Sequence, residues 1–209
     1  DAALRVRQIA NAAGIELKAE VVSNLVALNS AFEDPPDLLL SFGTSVIVPA
    51  PLLEVPGLLA LNVHAASPDY PGRDPHHFAI YDGATQYGAT MHLMTQSVDA
   101  GPIIDTELFD VTSGVSPSEL LDLANKAGWK LIKRFFAAHL AKAAPLPLEG
   151  ISWGKRKSTR KMFLEMCRID PSMAQEEIDR RYKATIVSGY SNLYMDFHGY
   201  RFRIEGPLG

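Results

Sequence analysis

Apolar positions recur at helical spacing from the start of the chain (Leu4, Val6, Ile9, Ala10, Ala13), and Gly14 marks a helix stop. Residues 15–22 read as a short strand and 24–32 as a helix, ahead of the turn-forming Asp34-Pro35-Pro36. Residues 37–42 (DLLLSF) are a nearly continuous apolar run, the pattern of a parallel strand covered on both faces. Residues 58–63 form a second such run and lead into a proline-rich loop over 65–75. A short helix over 77–81 closes at Asp82-Gly83. Residues 87–95 alternate and carry β-favouring side chains, Asp99-Ala100-Gly101 is a loop, and 103–111 is another strand.

The clearest helix follows. Ser116-Pro117-Ser118-Glu119 supplies an N-cap, a proline at the first helical position and a glutamate placed to return the cap. Leu120, Leu121, Ala124, Ala127, Leu131, Ile132 and Phe135 then recur at helical spacing, up to Pro145-Leu146-Pro147. This order of elements predicts an α/β fold: an open, mostly parallel, Rossmann-like sheet flanked by helices over residues 1–149. Beyond Gly150 the pattern changes to a basic cluster, helices near 160–168 and 173–183, and a hairpin pairing 193–197 with 200–204 across His198-Gly199. Residues 150–209 are therefore expected to be a small C-terminal helix and β-hairpin extension.

Composition narrows the function classes. The 24 acidic against 20 basic residues give a formal charge of −4, without the broad basic face that nucleic-acid binding requires. No stretch reaches the roughly 20 apolar residues that span a bilayer, since residues 52–63 are broken by Glu54, Pro56 and Asn62. The single cysteine, Cys167, makes no internal disulfide and suits a reducing cytoplasm. A soluble, cytoplasmic protein without membrane insertion or a nucleic-acid partner is expected.

The candidate chemistry lies between Asn62 and Ile104. Asn62 and His64 stand with one residue between them at the carboxyl end of a predicted strand, so their side chains share a face. Open α/β sheets bind ligands off those strand ends. Asp99 follows the next strand and opens a tight turn that can return its carboxylate to the same rim. An amide donor and an imidazolium stabilise the oxyanion formed when an amine attacks an acyl carbon, and a carboxylate raises the histidine pKa and holds a water for proton relay. Each residue alone is more often a cap, a structural histidine or a turn; the combination carries the reading. His76, His77 and His92 are read as structural, because no carboxylate or cysteine lies at metal-ligand spacing, and no metal is expected.

Asn62-Val63-His64 with Pro71-Gly72, then Gly88-Ala89-Thr90-Met91-His92 and Asp99-Ala100-Gly101-Pro102-Ile103-Ile104, resembles the folate-dependent formyltransferase family. The likeness covers roughly residues 36–144. It implies 10-formyltetrahydrofolate as donor, Asn62, His64 and Asp99 as the catalytic residues, and Ser45, Val46, Ile47, Val98 and Asp99 around the folate. Two departures stand out. The loop from His64 to Gly72 is one residue shorter than is common in the family and lacks its leucines, and the family's first strand and glycine turn are not visible, so residues ahead of Asp1 are expected.

The short loop, the basic segment and the hairpin look most like the sugar-nucleotide N-formyltransferases, which formylate aminodideoxysugars linked to a nucleoside diphosphate for surface polysaccharide such as O-antigen. That likeness implies Tyr70, Arg73, Lys155, Arg156 and Arg160 as acceptor-binding residues, although a solvated helix start and loop packing explain them too. Alternatives are a glycinamide ribonucleotide formyltransferase, a formyltetrahydrofolate hydrolase using the same triad, or a silent folate- or nucleotide-binding module. The hairpin's apolar side chains need a cover, and a homodimer is the expected one.

Overall fold

The computed structural model describes residues 2–17, 19–139, 145–187 and 190–206. The expected chain start at Asp1 and the stretch 140–144 at the end of the long helix lie outside the described residues. Helix α1 (Ala2–Ala12) ends at Gly14, whose φ of 73° is the left-handed conformation that favours glycine. Helix α2 (Leu25–Ala31) is capped by Asn24, whose side chain accepts from the Ala27 N–H at 2.9 Å. The described part of 15–22 makes no strand, contrary to the sequence pattern. Its apolar side chains are spent on packing instead, with Ile15 and Leu17 lying against the main core.

A four-stranded sheet carries β1 (Leu38–Phe42), β2 (Leu59–His64), β3 (Gln86–Leu93) and β4 (Ile103–Asp110), in that spatial order. The short helix α3 (Ala50–Leu53), unanticipated from the sequence, and α4 (Pro75–Asp82) occupy the connections. β1 and β2 pair in parallel, whereas β2–β3 and β3–β4 are antiparallel. Three of the four strands thus run one way and β3 runs against them. The sheet is α/β and open as expected, but mixed, because the direct β2–α4–β3 and β3–β4 connections reverse the chain.

Strand alternation sorts the two faces of the sheet. Leu61, Val63, Ala89 and Met91 turn to one side and bury against Ala127, Leu131, Ile132 and Phe136 of α5 (Pro117–His139). Asn62 and His64, with Thr90 and His92 paired opposite, belong to the other side. α5 begins with the expected reciprocal cap: the Ser116 N–H donates to Glu119 at 2.9 Å, and the Glu119 N–H donates to Ser116 Oγ at 3.3 Å. Its Gly128 admits close contact, since a Cβ there would stand 2.7 Å from Phe42 Cζ.

The extension is fastened to this unit. Helix α6 (Arg160–Cys167), capped by the Thr159 hydroxyl, and α7 (Gln175–Thr185) share a core with α4 made of Phe78, Phe163, Met166, Cys167 and Ala184. The His77 Nδ1–H donates to the Ala184 carbonyl at 2.6 Å. Strands β5 (Tyr194–Phe197) and β6 (Tyr200–Arg203) form the hairpin, and His198 and Gly199 both take positive φ (47° and 82°). That pair of angles matches the right-handed twist of a two-residue turn. Leu193 is buried, while Phe197, Tyr200 and Phe202 stay exposed. No helix among the described residues is long and apolar enough to cross a membrane.

Candidate active site

Four polar side chains meet on the sheet face away from α5. Asn62 and His64 come from β2, His92 from β3 and Asp99 from the 94–102 connection. Because β3 runs antiparallel to β2, its carboxyl end lies beside Leu61 rather than His64. The connection must fold back over the sheet to bring Asp99 to Asn62 and His64. Asp99 takes a left-handed φ of 46° to do so, a conformation aspartate tolerates better than most residues. The glycine two residues on is required, since a Cβ at Gly101 would stand 1.9 Å from the Leu93 carbonyl oxygen.

The hydrogen bonds assign protons. His92 Nδ1 lies 2.8 Å from the Leu93 carbonyl, which only accepts, so this nitrogen carries a hydrogen. In the neutral ring His92 Nε2 is then an acceptor, 3.0 Å from Asn62 Nδ2. The same Asn62 amide donates to Asp99 Oδ1 at 3.4 Å, and the Gly72 N–H donates to Asp99 Oδ2 at 3.0 Å. His64 Nε2 donates to the Tyr70 carbonyl at 2.9 Å, leaving Nδ1 facing Asp99 Oδ2 at 3.6 Å. When His64 is neutral, its Nδ1 lone pair points at a carboxylate; a proton on Nδ1 resolves that conflict.

Burial sets the charge balance. Asp99 is 5 % exposed and His64 9 %. Loss of water pulls the His64 pKa down further than Asp99 and the Tyr70 carbonyl raise it, so the net direction is below the ordinary 6.5. This reverses the sequence expectation that the carboxylate would hold His64 charged. Burial pushes Asp99 upward, but hydrogen bonding from His92, the His64 charge and the Gly72 N–H carry it below its ordinary 3.8. Of these contributions, the Gly72 N–H alone is independent of the protonation of the two histidines.

The remaining sequence candidates divide. Ser45 and Ile47 are exposed and Val46 is half-buried in the loop leaving β1, with the Val46 N–H donating to Thr44 Oγ1 at 3.1 Å. Parallel pairing places this loop off the same sheet end as His64. Val98 is exposed beside Asp99. Arg156 pairs with Asp82 and lies over the Phe78 ring, and Tyr70 joins them, its phenol pushed up to about 12 by burial and then by Asp82. Arg73 and Arg160 face Asp74 at 3.5 and 3.9 Å, and Lys155 is exposed.

Sequence reasoning missed His92 and Trp153 as members of the site. The Trp153 ring meets His64 and His92 nearly edge-on, with centroids 5.9 and 5.0 Å apart. His92 was legible in principle, two residues from Thr90 on the alternating face; nothing local marks Trp153. No cluster of three metal-ligating side chains occurs among the described residues. A groove of about 890 Å³ lined by Tyr81, Thr85, Gly114 and Lys183 lies apart from these groups and contains none of them.

A family model described as formyl transferase matches residues 6–135. A methionyl-tRNA formyltransferase of Listeria welshimeri is 35% identical over 112 residues, 53% of this chain and 34% of that protein. One from Gluconobacter oxydans is 29% identical over 181 residues, 85% of this chain and 58% of that protein. This chain therefore spans only about a third to three fifths of these relatives. Among solved structures, a 4-N formyltransferase from Francisella tularensis superposes with a TM-score of 0.69 at 25% identity, over 83% of this chain and 71% of that one. A sugar N-formyltransferase from Shewanella sp. FDAARGOS_354 gives 0.71 at 18% identity, over 91% and 74%. HypX from Aquifex aeolicus, solved in complex with tetrahydrofolic acid, gives 0.63 at 16% identity, over 94% and 34%.

Proposed function

The chain belongs to the formyl transferase family, and from that premise we propose that it transfers the formyl group of 10-formyltetrahydrofolate to the amine of a nucleotide-linked aminodideoxysugar. The observation that carries this reading is the buried convergence of Asn62, His64 and Asp99, with the Asp99 carboxylate facing His64 Nδ1 at 3.6 Å. The attacking amine forms a C–N bond to the formyl carbon, sheds a proton, and the bond from that carbon to the donor nitrogen breaks as the donor nitrogen takes a proton. His64 Nδ1 is the acceptor for the amine proton, stabilised there by Asp99. Asn62 Nδ2 supplies a hydrogen to the oxyanion by giving up its longer bond, the 3.4 Å one to Asp99.

The exposed apolar Ile47 and Val98 are proposed as walls for the folate, with Ser45, Val46 and Asp99 offering polar and backbone groups. A sugar nucleotide is favoured over tRNA by the net charge of −4 and by structural likeness to sugar-modifying enzymes. Lys155 is the more available cation for a diphosphate, since Arg156 is held by Asp82 and Arg73 and Arg160 both face Asp74. The residues proposed to carry the chemistry fall within residues 1–149, with 150–209 proposed as an appended extension, and the protein is proposed to work in the cytoplasm as a homodimer.

The test is incubation with 10-formyltetrahydrofolate and GDP-, dTDP- and UDP-linked aminosugars, read by mass spectrometry. Gain of one formyl group on an acceptor is expected. Formate release at the same rate without any acceptor would replace transfer by hydrolysis.

A further inference from the structure

We infer that Trp153, on the C-terminal extension, is a positioning residue for His64: it fixes the ring and keeps water from it, so the extension completes the catalytic site. This deepens the reading above and rests on it. Residues 151–158 form an irregular strap across the site. The strap is tied to the 94–102 connection twice, where the Trp153 Nε1–H donates to the Gly101 carbonyl at 2.7 Å and Lys157 Nζ donates to the Val98 carbonyl. These two bonds bracket Asp99.

The strap is also fastened to the 66–73 loop. The Gly154 N–H donates to the Pro68 carbonyl and the Ser158 N–H to the Pro71 carbonyl, both at 2.9 Å, while Arg73 N–H donates to Ser158 O at 3.0 Å. Glycine is needed on both sides of this contact: a Cβ on Gly154 would stand 2.2 Å from Asp69 O, and one on Gly72 2.3 Å from Ser158 O. Trp153 is thereby held with its ring against His64 and His92 together. Fixed aromatic edges remove water that would otherwise solvate the imidazolium.

The titratable and charged groups around His64 are accounted for element by element. Asp99 faces Nδ1 from the 94–102 connection, and His92 stands on the adjacent strand. The 66–73 loop offers only the Tyr70 carbonyl, since that phenol is turned to Asp82. On the strap, Lys157 is bound to Val98 O and Arg156 to Asp82. Removing Trp153 leaves those charges in place and admits water, so the expected change is upward.

The experiment is NMR titration of His64 in the full chain, without any substrate, in the wild type and Trp153→Ala, with thermal unfolding to verify the fold. The wild-type midpoint is expected below 6.5, rising by about half a pH unit or more in the variant. The acidic limb of kcat/KM should move with it, with kcat down about tenfold or more and donor KM nearly unchanged. An unmoved His64 midpoint in folded Trp153→Ala overturns the inference. If that variant does not fold, Trp153→Leu carries the same expectation, and an unmoved midpoint there overturns the inference equally. If the wild type formylates no acceptor, the functional reading fails while the titration still decides the role of Trp153.

Discussion

The Gly72 N–H donates to Asp99 Oδ2 at 3.0 Å, tying the 66–73 loop to the carboxylate that faces His64. Gly72 has a φ of 103°, and its backbone lies so close to Ser158 that a Cβ would meet Ser158 N at 2.7 Å. One residue therefore joins the loop, the strap and the carboxylate of the site. Gly72→Ala is expected to lower stability by about 1–3 kcal/mol and activity by about 10²-fold. Gly83→Ala, also at positive φ but with nothing within 4 Å, should lose stability and retain kcat. Chemical denaturation and initial rates separate the two; equal kcat losses would defeat the assignment.

His64→Ala and Asp99→Asn should each reduce turnover by about 10²–10⁴-fold, the usual consequence of losing a placed proton-transfer group. Folate affinity, measured by fluorescence or calorimetry, should change little. Near-normal turnover in either variant would remove it from the chemistry.

Stability should fall with acidification from about neutral pH. Burial lowers the pKa of His64, His77 and His76 below 6.5, the last to about 3. Above 6.5 these rings are neutral in both states and add no pH dependence. Below it the unfolded chain takes up protons that the native state refuses, at about 1.4 kcal/mol per pH unit for each such histidine. Asp99, depressed below 3.8, contributes stability above that value and loses it only in stronger acid. His76→Gln should flatten the curve of Tm against pH between about 6.5 and 3; a curve parallel to the wild type would contradict the burial argument.

The hairpin carries Phe197, Tyr200 and Phe202 at the surface, between 50% and 72% exposed, and this is the surface through which a homodimer is expected to form. Phe202→Asp combined with Tyr200→Ser should convert a dimer to a monomer by light scattering, leaving the fold intact. A wild-type monomer at micromolar concentration would rule out this assembly.

Much of the fold was written in local pattern. The alternation in LALNVH and QYGATMHL sends Leu61, Val63, Ala89 and Met91 to α5 and Asn62, His64, Thr90 and His92 to the opposite face, because strand side chains repeat every two residues. The Ser116–Glu119 cap and the His198-Gly199 turn were equally readable, since each is decided within four residues. Residues 15–22 misled because apolar character does not distinguish packing from pairing.

Tertiary structure decided the rest. The antiparallel β3 obliges the 94–102 connection to carry Asp99 back across the sheet, and strand direction leaves no trace in hydrophobic alternation. Trp153 reaches His64 from 89 positions away in sequence, and Arg156 meets Asp82 from 74 positions away. The sequence placed His64 beside a carboxylate, but the sign of its pKa shift depended on how completely loop, sheet and strap exclude water. That is a property of the assembled site, where the penalty of burying an imidazolium outweighs one neighbouring negative charge.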